Sequence, residues 1–197
     1  MAEVELPDPE ELSAASDRFS KRVALMTAVY AVILAIASLG GSNAMKEMLL
    51  AQQEASNQWA FYQAKSIREH QYRVQKFILE IDLEERGDAM KPQSRRKLEA
   101  ALQRFTEEEK RYAEEKKDIE KAARKHEAER DRNQAKDPYF DYAEVLLQIA
   151  IVMGAISILS KSPPPFYVSL VLALAGAALA VNGYTLFFRL PLLHSGH

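Results

Sequence analysis

The sequence predicts an all-α protein: three transmembrane helices with a long antiparallel helical hairpin, a coiled coil, between the first and second. Three observations lead there. Residues 44–136 hold 21 of the 26 basic and 19 of the 28 acidic side chains, so charge is segregated rather than spread. Three other stretches hold almost none, and each is about 18–23 residues, the length that crosses a bilayer core as a helix. Glycine and proline are scarce, at 7 and 8 residues, which favours long uninterrupted helices.

In chain order, residues 1–22 form an acidic leader with two readings, an interfacial helix or an extension of the first span: Asp8 suits an N-cap, Pro9 the first helical position, and Leu12, Ala15, Phe19 and Val23 follow at helical spacing. Residues 23–41, "VALMTAVYAVILAIASLGG", form the first span. It is too long for the apolar region of a cleavable signal peptide, and "ASLGGSNA" is a poor cleavage site. Residues 44–136 form the charged hairpin, whose one strong break, "RGDAMKP", puts the turn near 87–92. Spans two and three cover 143–160 and 166–188, and 189–197 is a short tail. The intervening "SKSPPP" reads as a short extended connector, because three prolines cannot continue a helix.

Heptad spacing supports the hairpin. In the second arm Leu98, Phe105, Tyr112, Ile119 and His126 recur every seven residues, with Leu102 and Ala123 at the second seam position. In the first arm Ile67, Val74 and Ile81 do the same. Antiparallel pairing then sets Ile81 near Leu98, Val74 near Phe105 and Ile67 near Tyr112. Toward the spans the seam decays to Gln52, Ser56, Glu109, Lys116 and Glu127. So thin a seam buries little, which predicts a homo-oligomer. Small residues recur in the spans: Ala24, Ala28, Ala31, Ala35 and Ser38 in the first, Ala150, Gly154 and Ser157 in the second, Ala173, Gly176, Ala180 and Gly183 in the third. Such stripes let helix backbones approach closely in lipid.

The expected functional features are few. A net charge of −2 argues against nucleic acid as a partner, and the absence of cysteine excludes disulfides and thiolate metal sites. No phosphate loop, dinucleotide turn or zinc-ligand spacing occurs, and the four histidines are scattered. The reading is therefore no cofactor, no metal, no catalytic residues and no enzyme. Trp59, Phe61 and Tyr62 cannot all face one partner arm, which makes them candidates for a protomer or protein-partner contact. Asp137, Asp141, Glu144 and Gln148 fall on one helical face at the mouth of span two. Two readings stand for Asp141, Glu144 and Gln148: a hydrated helix entry, or an ion or proton site formed as a ring when copies assemble. Over four residues the Asp141–Glu144 pair resembles the acidic filter motif of calcium uniporters.

Two segments, "SLGGSNAMKEMLLAQQEASNQWAFYQAKSIREHQY" and "YFDYAEVLLQIAIVMGAISILSKS", resemble those of an uncharacterised bacterial membrane family, domain of unknown function family 4337. The string Trp59–Lys65 is the most specific part. The resemblance implies a bacterial inner-membrane, multi-pass protein and supplies no catalytic residues. Arg18, Lys21 and Arg22 beside the first span place the N-terminus in the cytoplasm and the hairpin in the periplasm. The expected function is an oligomeric membrane scaffold or docking protein of the bacterial envelope, the alternative a cation-conducting or proton-coupled assembly.

Overall fold

The computed structural model describes the backbone of residues 9–188 and the side chains of residues 17–188. The expected Asp8 cap, the apolar face at Leu12 and Ala15, and the 189–197 tail, with His194 and His197, lie outside the described residues. The described chain is helical with no strand. Helix α1 runs Pro9–Arg86, a 3-10 turn covers Gly87–Ala89, and α2 (Pro92–Gln134), α3 (Asp137–Ser160) and α4 (Pro163–Thr185) follow. Three helices are long and apolar enough to cross a membrane. Contacts divide the chain into two units: one holds the residues up to Glu47 with those from Arg132 onward, the other Met48–Asp131.

In the first unit the core lies where α3 meets α1 and α4. Phe140, Ala143, Leu147 and Ala150 of α3 are buried with Tyr30, Ala37 and Ala44 of α1 and Ala173 and Ala180 of α4. Phe140 is the largest side chain of that cluster's α3 face, and glycines make room for it. A Cβ on Gly40 would stand 2.6 Å from its ring, and one on Gly183 would stand 2.9 Å from it. Both are closer than carbon atoms approach, so only glycine fits at either place. Tyr184 meets the ring edge-on, 5.0 Å between centroids, and its hydroxyl donates to the Ile36 carbonyl at 2.9 Å.

Several hydroxyls in this apolar unit donate to main-chain carbonyls, which offsets the cost of placing a polar group among apolar neighbours. Ser169 donates to Ala150 at 2.7 Å, Thr27 to Val23 at 2.9 Å and Ser157 to Ser162 at 2.8 Å. Tyr30 is an exception, its buried hydroxyl meeting no protein partner.

The small-residue stripes of α3 and α4 are buried, with Ala150, Gly154 and Ser157 against Ala173, Gly176, Ala180 and Gly183. The α1 stripe is a correction. Ala24, Ala28, Ala31, Ala35 and Ser38 are exposed, and α1 instead buries Val23, Tyr30, Ala37, Gly40 and Ala44. The alanine face offers no notch for the Phe140 ring, whereas the Gly40 face does. The proline run is a second correction. Pro163 opens α4 rather than an extended connector, since prolines in a first helical turn forfeit no hydrogen bond. The reversal is made by Lys161, at φ 48°, with Ser162 N–H bonded to the Ser157 carbonyl at 3.3 Å.

The second unit is an antiparallel pair of arms, traced by its cross-arm contacts. Gln52 meets Arg130, Trp59 meets Glu127, Lys65 meets Glu115 and Arg73 meets Glu109, so one number rises as the other falls. The 43 residues of α2 make an arm roughly 65 Å long at 1.5 Å per residue. Leu98, Leu102, Phe105, Tyr112, Ile119 and Ala123 line the second arm's inner face, all buried or half-buried.

The first arm presents a different face from the one its apolar heptad suggests. Ala51, Ala55, Tyr62, Glu69, Tyr72 and Lys76 turn inward, and Ile67, Val74 and Ile81 are exposed. The expected Ile67–Tyr112, Val74–Phe105 and Ile81–Leu98 layers are therefore replaced. Tyr72 stacks on Tyr112 at 5.7 Å and leans on Phe105 at 5.6 Å. The reason is the chemistry of α2: its inner face carries Glu109, Glu115 and Lys116, which charged residues of opposite sign on the first arm complement and isoleucine does not.

Phe140→Ala should lower the stability of the purified protein by about 3–5 kcal/mol, the usual loss for emptying a buried aromatic position, read as an earlier thermal unfolding midpoint. Gly183→Leu should destabilise comparably by overpacking, and less so in the Phe140→Ala background, where the ring is gone. Equal penalties in both backgrounds would refute the ring-in-notch account.

Candidate functional site

Two groups of residues are candidates. The first lies at the start of α3, where Asp137 and Pro138 open the helix. At about 100° per residue, Asp137, Asp141, Glu144 and Gln148 share one face, turned away from the face that buries Ala143, Leu147, Ala150 and Gly154. Asp141 and Gln148 are exposed and Glu144 is half-buried. Glu144 lies nearest the core, its Oε1 3.9 Å from where a Cβ on Gly41 would stand. The structure thus aligns the three sequence-predicted residues but leaves two of them open to the surroundings.

Asp137 is the fourth member. Burial, and secondarily the charge of Asp141, push its carboxyl above the ordinary aspartate range. In sequence it reads as a turn residue before a proline. The i, i+4 spacing to Asp141 is the signal that could have marked it as part of an interacting pair.

The second group lies along the hairpin arms. Trp59 donates its indole N–H to Glu127 at 2.9 Å and meets Tyr62 edge-on at 5.4 Å. Lys116 sits over the Tyr62 ring, 5.4 Å from its centroid. Two of the three aromatic candidates therefore take part in the hairpin itself. Phe61 alone of the three is largely exposed, at 59%.

Sequence reasoning missed what the polar seam positions do. Glu69, buried to 6% exposure, pairs with Lys116 and with Arg73 at 2.6 Å. Glu109 receives Arg73 at 2.8 Å and Lys76 at 2.9 Å. These hydrogen bonds, first from Arg73 and then from Lys76, hold the Glu109 carboxyl below its ordinary range. Lys65 likewise lowers Glu115. Tyr112 is pulled down by hydrogen bonds from Arg68 and then Arg111. The apparent decay of the seam at Gln52, Glu109, Lys116 and Glu127 is thus a ladder of cross-arm polar contacts. Its sequence signal was the opposed signs of Lys65, Glu69, Arg73 and Lys76 against Glu115, Lys116 and Glu109.

His70 is exposed, and His126 lies 3.1 Å from Glu129. Among the described residues no group of three or more His, Asp or Glu side chains is placed to hold a metal ion.

A family model described as Domain of unknown function (DUF4337) matches residues 19–186. No curated protein and no solved structure matches the chain.

The lowered Glu109 and Glu115 carboxyls set a pH dependence. A carboxyl with a depressed folded-state pKa stabilises the fold above its unfolded value and loses that contribution as pH falls through the folded one. Helix content of the wild type should therefore melt at lower temperature below about pH 4 than at neutral pH. Glu109→Gln should melt earlier than wild type at neutral pH and show a shallower acid dependence, followed by circular dichroism. Identical pH profiles for the two proteins would contradict the ladder.

Proposed function

The chain belongs to the DUF4337 family, and we propose that it is an oligomeric membrane scaffold or docking protein of the bacterial envelope. In this reading the three apolar helices anchor the chain in the inner membrane and the hairpin is the working surface. The observation that carries the proposal is the surface of the second unit. Its arms are braced by charge pairs, yet Phe61, Ile67, Val74, Phe77 and Ile78 remain exposed on the same helix. Large apolar side chains left in the open within a strongly charged segment mark a surface meant for another protein. The role is one of binding and assembly rather than catalysis.

Arg18, Lys21 and Arg22 precede the first apolar segment, and the positive-inside rule then puts the N-terminus in the cytoplasm and the hairpin in the periplasm. A second reading has support of its own. Asp137 is half-buried, and burial first and the nearby Asp141 charge second push its carboxyl up; a carboxyl held back from ionising is one ingredient of a proton site. Copies assembled around α3 would bring Asp141, Glu144 and Gln148 into a ring.

Single cysteines at Gly87 and at Ser162 should label oppositely with a membrane-impermeant thiol reagent added to intact spheroplasts, Gly87→Cys reacting and Ser162→Cys protected. The reverse pattern would invert the topology. For the second reading, wild-type protein in liposomes should pass cations and Glu144→Gln should pass fewer; no flux from wild type, or equal flux from both, would leave the scaffold reading alone.

A further inference from the structure

The first arm carries two heptad stripes, and the hairpin uses one of them. The used stripe includes Tyr62, Lys65, Glu69, Tyr72 and Lys76. The other lies two residues further on, about 200° around the helix, and comprises Ala64, Ile67, Gln71, Val74, Ile78 and Ile81. Its spacing of three, four, three, four and three is the repeat of a coiled-coil seam. All six residues are exposed, with Ile67 at 60%, Val74 at 43%, Ile78 at 55% and Ile81 at 38%. We propose that this outward stripe is the interface with a second copy of the chain, paired in parallel and in register.

The proposal rests on the scaffold reading and names its assembly surface. Three features select a second copy in parallel. First, the stripe has one polar residue, Gln71. In a parallel, in-register pair Gln71 meets Gln71, amide to amide, and every other layer matches like with like. An antiparallel pair sets one seam position against the other, so Gln71 would face Ile67, Val74 or Ile81 in every register. A single polar layer is the established device for fixing register and orientation in such seams.

Second, the edges tolerate the pairing. Parallel geometry brings Gln63 opposite Arg68, His70 opposite Gln75 and Phe77 opposite Asp82 of the second copy. No like charges meet, so nothing at the rim opposes association. Third, the area suffices. With Phe61 and Phe77 on its flanks, the stripe offers on the order of 600 Å² per copy, or on the order of 1,200 Å² in the pair, about what a specific interface needs.

The chain contains no cysteine, so single-cysteine variants report contacts without further engineering. Full-length protein in lipid nanodiscs would be oxidised with copper phenanthroline as Ile67→Cys, Val74→Cys and, on the exposed side of α2, Lys117→Cys. Conversion of most of the Ile67→Cys and Val74→Cys protein to covalent dimer, with little at Lys117, is the expected result. Light scattering of the cysteine-free protein separates the failures. An oligomer that gives no covalent dimer at Ile67 or Val74, or gives as much at Lys117, overturns this interface and leaves the scaffold reading standing. A monomer overturns both. Val74→Lys adds a check independent of oxidation: oligomer size should fall while helix content by circular dichroism is retained, and an unchanged size would count against the stripe.

Discussion

The placement of one aromatic ring organises the apolar unit. Phe140 stands at the start of α3 with its ring pressed into space that Gly40 of α1 and Gly183 of α4 leave open. Helices in an apolar surrounding gain little from hiding greasy surface from one another, because the surroundings are equally greasy. What distinguishes one arrangement from another is fit. A bulky ring against a bare backbone supplies that fit and fixes how α1 and α4 rotate about their own axes. Once Gly40 faces the ring, Val23, Tyr30, Ala37 and Ala44 are carried inward with it, and the alanines at 24, 28, 31 and 35 are carried outward. Tyr184 completes the contact, its edge on the Phe140 ring and its hydroxyl on the Ile36 carbonyl.

The hairpin obeys a different rule. Its arms meet through few apolar layers, centred on Tyr72, Phe105 and Tyr112, and through a run of charge-assisted hydrogen bonds. Single exposed ion pairs contribute little to stability. Here the pairs share partners, Glu69 between Arg73 and Lys116, Glu109 between Arg73 and Lys76, and the geometry they require specifies which faces meet and in what register. A coiled coil built this way leaves its most apolar first-arm residues unused. That allocation makes the exposed stripe informative: isoleucine and valine in a seam pattern lie outside the seam that the hairpin itself uses.

The acidic entry to α3 was legible as a face. Spacings of four, three and four put Asp137, Asp141, Glu144 and Gln148 on one side of any helix drawn through them. Their inequality was not legible. Glu144 is drawn toward α1 beside Gly41, and Asp137 is half-buried and shifted, because the core-facing side of α3 lies nearer to them than to Asp141. The aromatic cluster divides for a similar reason. Trp59 and Tyr62 find Glu127 and Lys116 on α2, and Phe61, between them in sequence, points elsewhere.

Segregated charge, long apolar runs and scarce glycine and proline determined the all-α class from sequence alone, since each restricts the chain locally whatever it packs against. The inner face of α2 was likewise readable, because that helix has a single apolar stripe and no competing choice. On α1 periodicity names sets of residues that share a face without saying which set is buried. Each part of that helix carries two eligible faces, alanine or Gly40 in the apolar unit, isoleucine or charge in the arm. Only the partner decides between them: the Phe140 ring requires a notch, and the charges of α2 require charges opposite.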